Sequence, residues 1–362
     1  MTSEFSPDNG ALADALAMAG RSEPLRNAIF EALRQAQQQA EDPAAFRDKV
    51  RWPLIVSLLR EAKKQRVVLN NGLVFEVSPD SRIEQALLLS SVAHPDHVWE
   101  PQTTKLLTQL AQGAAHIIVG GAYIGDHALP LARAVSRQEP AGIIHAFEPA
   151  DEARRRLVRN LEINDIHNVI VHRLGLWDSS DIGLTITGRA PVASSIALER
   201  NQASSAWGFP SITIDDYVRE HGLASVGLIM LDTEGGEERA LRGANTLLSR
   251  PPGNAPNLVF EIHRHFVDWS NGLENTAIVQ FLMALGYSVF AIRDFHDNYP
   301  MAERPVEIIP IARVCLEGPA HGFNLIATKD SELIARLGLR MVENVNPKLL
   351  LHKDPALHHP LS

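Results

Sequence analysis

The 362-residue chain is short of cysteine, of positive charge and of long apolar runs, and each shortage excludes something. A single cysteine, Cys315, rules out an internal disulfide and a zinc site built on several thiolates, and it fits a reducing compartment. Its simplest role is that of a small apolar side chain. Lys and Arg number 34 against 43 Asp and Glu, a formal net charge of −9. A general basic field for nucleic acid would carry the opposite sign, so no nucleic-acid partner is expected. No stretch reaches the ~18 consecutive apolar residues of a membrane-spanning helix. The first eight residues, Met1 to Asp8, show no basic segment followed by an apolar one. No secretory signal is read there, and a cytoplasmic location is expected.

What is present is enough for a large core: 45% hydrophobic residues and 21% charged ones. The length suggests one large domain with an addition. Residues 1–98 read as a helical region with a β-hairpin, 99–330 as the main domain and 331–362 as a tail. Apolar spacing predicts helices over Ala11–Ala19, Pro24–Ala40 and Trp52–Lys64. Asn71-Gly72, between two alternating apolar runs, predicts a tight hairpin turn within Arg66–Val77. This block is expected to pack on the main domain, to pair two chains into a homo-oligomer, or to cover an active site.

From His116 onward short apolar runs alternate with helical spacing. Strands are predicted over His116–Val119, Ile143–Phe147, Val169–His172, Gly227–Leu231, Leu258–Ile262, Tyr287–Ile292 and Gly322–Thr328. Helices are predicted over Pro101–Gln112, Asp126–Arg137, Asp151–Ile163, Glu237–Leu248 and Asn275–Leu285. Arg154, Arg155, Arg156 and Arg159 fall on an exposed face of the third. Such alternation implies parallel strands and right-handed crossovers. Gly183–Thr187 suggests an extra edge strand. Arg189–Phe209 and the segment from Arg293 to about Pro319 read as long loops, a common place for function.

Four constellations carry chemistry. Gly120, Gly121, Ala122 and Gly125 form a glycine-rich turn between a strand and a helix, where bare backbone lets a nucleotide-like ligand approach. Glu148, in Phe147-Glu148-Pro149, ends the next strand and is placed to accept hydrogen bonds from both hydroxyls of a ribose. Asp232 and Glu234 follow a buried strand, where open α/β sheets bind ligands, and an extended chain would point them the same way. Two acids together can raise one pKa enough to make a base, or bind a hard divalent ion. Glu261 and His263 alternate at the end of the fifth strand, and a histidine beside carboxylates can take a proton from an alcohol. Glu100, after Trp99, stands at a helix start, as a cap or as a partner for a cofactor's amine. The glycine turn also formally matches a nicotinamide site. The order of seven strands, with chemistry after the fourth and a last strand returning from an excursion, instead describes the fold that binds S-adenosylmethionine.

In order along the chain, these motifs resemble the FkbM family of S-adenosylmethionine-dependent methyltransferases, from about Trp99 to Thr328. Trp99-Glu100-Pro101 resembles the family's entry motif. Val119-Gly-Gly-Ala-Tyr-Ile-Gly125 resembles its Asp-Val-Gly-Ala-Asn-Ile-Gly turn. Phe147-Glu148-Pro149 matches the ribose motif. Leu174-Gly-Leu-Trp177-Asp178 resembles the segment lining the adenine. Thr213-Ile-Asp-Asp216 resembles its Leu-Asp-Asp element. Leu231-Asp-Thr-Glu-Gly-Gly-Glu237 resembles Ile-Asp-Val-Glu-Gly-Ala-Glu.

The resemblance implies a class I methyltransferase-like Rossmann fold with a seven-stranded, mostly parallel sheet. It implies S-adenosylmethionine held by Glu100, Gly120, Gly121, Ala122, Tyr123, Gly125, Glu148, Pro149, Trp177 and Asp178. It implies methyl transfer, most often to an oxygen of a sugar, glycan or natural product, with Asp232, Glu234 and His263 as the catalytic set, with or without a divalent metal. Val119 stands where the family has an acid and Tyr123 where it has Asn; Glu100 and Asp232 are placed to substitute for the acid. These departures also support a second class, a non-catalytic methyltransferase-like scaffold, with a nicotinamide oxidoreductase third.

Overall fold

A computed structural model describes residues 9–61, 64–69, 71–79, 81–89, 99–187, 195–198, 208–295, 301, 303–316 and 322–349. Nine strands form the main sheet: β1 (His116–Gly120), β2 (Ile143–Phe147), β3 (Val169–His172), β4 (Leu228–Leu231), β5 (Asn257–His263), β6 (Ser288–Ile292), β7 (Glu307–Pro310), β8 (Gly322–Thr328) and β9 (Arg340–Met341). Their order is β9-β7-β6-β8-β5-β4-β1-β2-β3. Strands β3, β2, β1, β4 and β5 are parallel, and β8 runs antiparallel between β5 and β6. That seven-strand arrangement is the class I methyltransferase-like Rossmann fold. Every residue of β4 and of β8 is buried, as befits strands covered on both faces. The strand order reverses between β1 and β4, so the loops after them flank the crevice where such sheets bind ligands.

The sequence expectations differ from the structure at the edges. The segment after Arg293 is not loop throughout: β7 lies in it and carries the sheet past β6, with β9 added from the tail. Gly183–Thr187 is a strand, but it belongs to a separate four-stranded sheet with Gly175–Leu176, Ser195–Leu198 and Phe209–Ile212. Most of Arg189–Phe209 lies outside the described residues. The helix expected over Glu237–Leu248 breaks at Gly243, where a Cβ would sit 2.0 Å from the Trp177 carbonyl oxygen.

The N-terminal block packs on the main domain. Its hairpin, Gln65–Val68 against Val74–Val77, turns at Gly72 with φ +79°. The free edge of Val74–Val77 is paired by two asparagines of the helix Asp151–Ile163 and its cap. Asn164 accepts from the Val74 amide (2.8 Å) and donates to the Val74 carbonyl (2.6 Å), and Asn160 accepts from the Glu76 amide (2.8 Å). Phe30, Leu33, Ile55 and Phe75 of the block join Ile117, Val119, Leu129 and Leu157 in one buried cluster. Arg156 is therefore not on a solvated face. Its side chain is 12% exposed and pairs with the fully buried Glu84 of the block. No described helix is long and apolar enough to cross a membrane.

Candidate active site

The glycine turn is fixed from both sides of the crevice. The amides of Gly121 and Ala122 donate to the Phe147 carbonyl at the end of β2 (3.0 and 3.1 Å). Gly121 has φ +75°, and a Cβ on it would lie 1.6 Å from the Asp232 carbonyl oxygen. The turn after β1 is thus pressed against the turn after β4, and glycine alone fits there. Gly125 (φ +96°) closes the turn against Leu129 and Leu157. Tyr123 also has positive φ (+42°), and this aims its amide at Glu148 Oε2, 2.8 Å away. Glu148 Oε1 accepts from the Ala150 amide (2.8 Å), across Pro149. Burial pushes the Glu148 carboxyl up to about 7, against those two backbone donors. Each oxygen keeps a second acceptor position.

Beyond β4 stands a group of acids. Oxygens of Asp232, Glu234 and Glu261 all lie within 4.8 Å of one another. The chain is not extended here, as simple alternation would require. Glu234 has φ +54° and Gly235 φ +104°. The reason is Glu237, whose carboxylate folds back to accept from the amide and hydroxyl of Thr233 (2.7 and 2.9 Å) and from the Gly235 amide (3.0 Å). Glu237 thus spends its hydrogen bonds on the turn, and reaches the other acids only through its charge. Glu261 arrives from β5 beside Gly322 of β8, where a Cβ would meet Glu261 Oε1 at 2.0 Å and His263 Cδ2 at 2.7 Å. Burial first, then the neighbouring carboxylates, raise the pKa values of Asp232 and Glu261, and push Glu234 up to about 7.

His263 Nδ1 accepts from the His265 amide (3.0 Å), and burial lowers its pKa. A neutral ring so placed carries its proton on Nε2. Glu100 is buried and left-handed (φ +49°). It accepts from Asn324 Nδ2 (2.5 Å) and from the fully buried Lys348 (3.3 Å). Lys348 belongs to a short strand from the tail that pairs with Asp294–Phe295.

The structure thus gathers Gly120, Gly121, Ala122, Tyr123, Gly125 and Glu148 on one side of the crevice, and Asp232, Glu234 and His263 on the other. Trp177 lies against the turn after β4, where a Cβ on Gly236 would meet its Cζ3 at 3.3 Å. Trp177 packs with Leu184 and Phe209, and Asp178 accepts from Arg239 (2.7 Å). From that segment Leu176 is the side chain that meets Gly120. Sequence reasoning missed Asp126, Glu84 and Lys348 and left Glu261 out of the core set. Asp126 had a signal, an acid directly after Gly125; its pKa is raised by burial and, among its charged neighbours, by Glu100 and Glu84.

Residues 120–289 match the family described as the Methyltransferase FkbM domain. That match places an FkbM-like methyltransferase domain within residues 120–289. A curated relative, the 31-O-demethyl-FK506 methyltransferase FkbM of Streptomyces tacrolimicus, is 23% identical over 250 residues, covering 66% of this chain and 83% of that protein. Among solved structures, an O-methyltransferase from Bacillus cereus in complex with SAH shows 15% identity and a TM-score of 0.35, covering 69% of this chain and 91% of its own. An rRNA methylase from Streptococcus thermophilus shows 12% identity and a TM-score of 0.36, covering 66% and 99%. Likenesses of that size carry nothing about substrate.

S-adenosylmethionine is the cofactor that a methyltransferase domain of this kind implies, and the residues present fit it. The ligand carries a sulfonium and an ammonium. The crevice offers the buried Glu100 and the half-buried Asp126, Asp232, Glu234 and Glu261; neighbouring carboxylates raise the pKa of the last four, and a cation would relieve them. The bare Gly121 backbone and the spare acceptor positions of Glu148 suit a nucleoside.

Proposed function

We propose that the protein methylates a hydroxyl oxygen of a small-molecule or glycan acceptor, such as a sugar or natural product. The observation that carries this reading is the triad of carboxylates, Asp232, Glu234 and Glu261, beside the glycine turn at the sheet's switch point. The O-methylating name of the curated relative points the same way.

When bound, S-adenosylmethionine supplies a methyl group already activated by its sulfonium. The chain's residues then have three tasks. Glu148 holds the ribose hydroxyls, with its oxygens oriented by the Tyr123 and Ala150 amides. Glu100 receives the ammonium, taking the part of the acid that Val119 replaces. Asp232 or Glu234, each with its pKa raised by burial and by neighbouring carboxylates, takes the proton from the acceptor hydroxyl, and alignment supplies the rest. His263, through Nε2–H, steadies the ionised carboxylate or the acceptor oxygen.

A second reading, a hard divalent cation on the triad, is favoured by the spacing of its oxygens. Chelation separates the two. Turnover that survives EDTA supports the base, and turnover lost to EDTA and restored by Mg²⁺ supports the cation.

The test of the function itself begins with calorimetry against S-adenosylhomocysteine, where a binding heat is expected. No heat at millimolar ligand would leave a scaffold, and quenching on titration with NADH would favour the nicotinamide alternative. Mass spectrometry of products from a panel of hydroxylated and aminated acceptors then reads the methylated atom. Product on nitrogen alone would overturn the hydroxyl assignment.

A further inference from the structure

We infer that Glu84, from the N-terminal block, is a positioning residue for the cofactor site. This rests on the S-adenosylmethionine reading above. Glu84 is fully buried at the start of the helix Arg82–Leu88. Its carboxylate accepts from the Ser78 amide (2.5 Å), from Ser81 Oγ (3.3 Å) and from both Nη atoms of Arg156. It also accepts from the Tyr123 hydroxyl at 2.6 Å.

Tyr123 is the residue that stands where the family's turn has Asn. Its backbone is left-handed, which costs a bulky residue of order 1–3 kcal/mol unless its surroundings hold it. Glu84 is what holds it. The phenol is drawn toward the N-terminal block, where Tyr123 packs on the buried cluster shared by block and sheet. The same backbone twist delivers the Tyr123 amide to Glu148 Oε2.

A chain of contacts therefore runs from Arg156 and Glu84 through the Tyr123 hydroxyl and the Tyr123 amide to the ribose-binding carboxylate. Asn at position 123 would be too short to reach Glu84. The substitution in the turn and the added N-terminal block belong together: the block supplies the anchor that the tyrosine requires. The block is a structural part of the cofactor site.

The experiment is a double-mutant cycle on S-adenosylhomocysteine affinity, read by calorimetry on the full chain. Tyr123→Phe removes the one hydroxyl and leaves the Glu84–Arg156 pair intact, so the variant should fold. It should bind about tenfold more weakly. Glu84→Gln should weaken binding by a similar factor in the parent chain and by less than about twofold in the Tyr123→Phe background. The KM for the acceptor should move in neither, which a general loosening of the fold would not spare. Should Glu84→Gln fail to fold, Tyr123→Phe decides alone: parent-like affinity overturns the inference. Equal losses from Glu84→Gln in both backgrounds would also overturn it. If the parent chain itself ignores the ligand, the failure lies with the cofactor reading instead.

Discussion

Two clusters of partly buried ionisable side chains lie against the same sheet, and they differ in whether their members satisfy one another. Behind β2 and β3, His116 Nδ1 meets His145 Nε2 (3.1 Å), His145 Nδ1 meets the Tyr217 hydroxyl (2.7 Å), and that hydroxyl meets His172 Nε2 (2.7 Å). His221 stacks on Tyr217 with centroids 4.0 Å apart. One proton per link closes this chain with every ring neutral, and burial holds His145 and His172 down to about 4. At the strand ends, Asp232, Glu234 and Glu261 are acceptors alone when ionised and repel one another. A count of buried titratable groups does not distinguish the two. The first cluster is closed by its own hydrogen bonds, whereas in the second like charges raise one another's pKa, a condition that a cation or a proton relieves.

The sharpest way to break this contrast is Asp232→Asn. Turnover is expected to fall at least about a hundredfold, with S-adenosylhomocysteine affinity changed by less than about threefold. Steady-state kinetics beside calorimetry measure both, and full activity would remove Asp232 from the mechanism.

The corresponding change in the other cluster is Tyr217→Phe. It leaves nitrogens of His145 and His172 without their shared partner, at a cost of about 2 kcal/mol in denaturant unfolding, while kcat per folded molecule stays within about twofold. An equally stable variant would show that the histidine chain contributes nothing to the fold.

What the sequence revealed, and what it hid, divides along the same line. The bounds of β2, β3, β8 and the helix Asp151–Ile163 were legible because local periodicity and the flanking turns decide them. The places of Glu148 and Asp232 in the fold were legible because each directly follows a strand. Lys348 was not, because its partner Glu100 lies 248 positions away and the tail shows no motif. Nor was the twist at Glu234, set by Glu237 folding back rather than by strand alternation. Nor was the tautomer of His263, which is set by the His265 amide donating to its Nδ1. His145 and His172 looked like ordinary strand residues, since nothing local announces a tyrosine placed between them from a helix far along the chain.

If a carboxylate of the triad is the base, turnover requires its ionised form. Turnover is then expected to fall about tenfold per unit as pH drops below about 7, the value to which Glu234 is raised by burial and by Glu237 and Glu100. A profile flat from pH 8 to 5.5 would exclude the triad as the proton acceptor.

The two clusters should also pull stability in opposite directions with pH. His145 and His172 bind protons less readily when folded (about 4) than when unfolded (6.5), so their contribution is complete above 6.5 and is lost as pH falls toward 4. Glu234 and Glu148 bind protons more readily when folded (about 7) than when unfolded (4.5), so they favour the fold below 4.5 and cost stability as pH rises through 7. Between 4.5 and 6.5 the slopes oppose, and the parent chain should show a shallow profile. Glu234→Gln removes one of the opposing terms. It should stabilise the ligand-free protein at pH 8 by about 1 kcal/mol, discounted for the partial exposure of Glu234, and should add nothing at pH 4.5. Urea unfolding at the two pH values reads the difference. A gain of the same size at both would mean that glutamine simply packs better, and a loss at pH 8 would mean that the triad's charges are already compensated without any ligand.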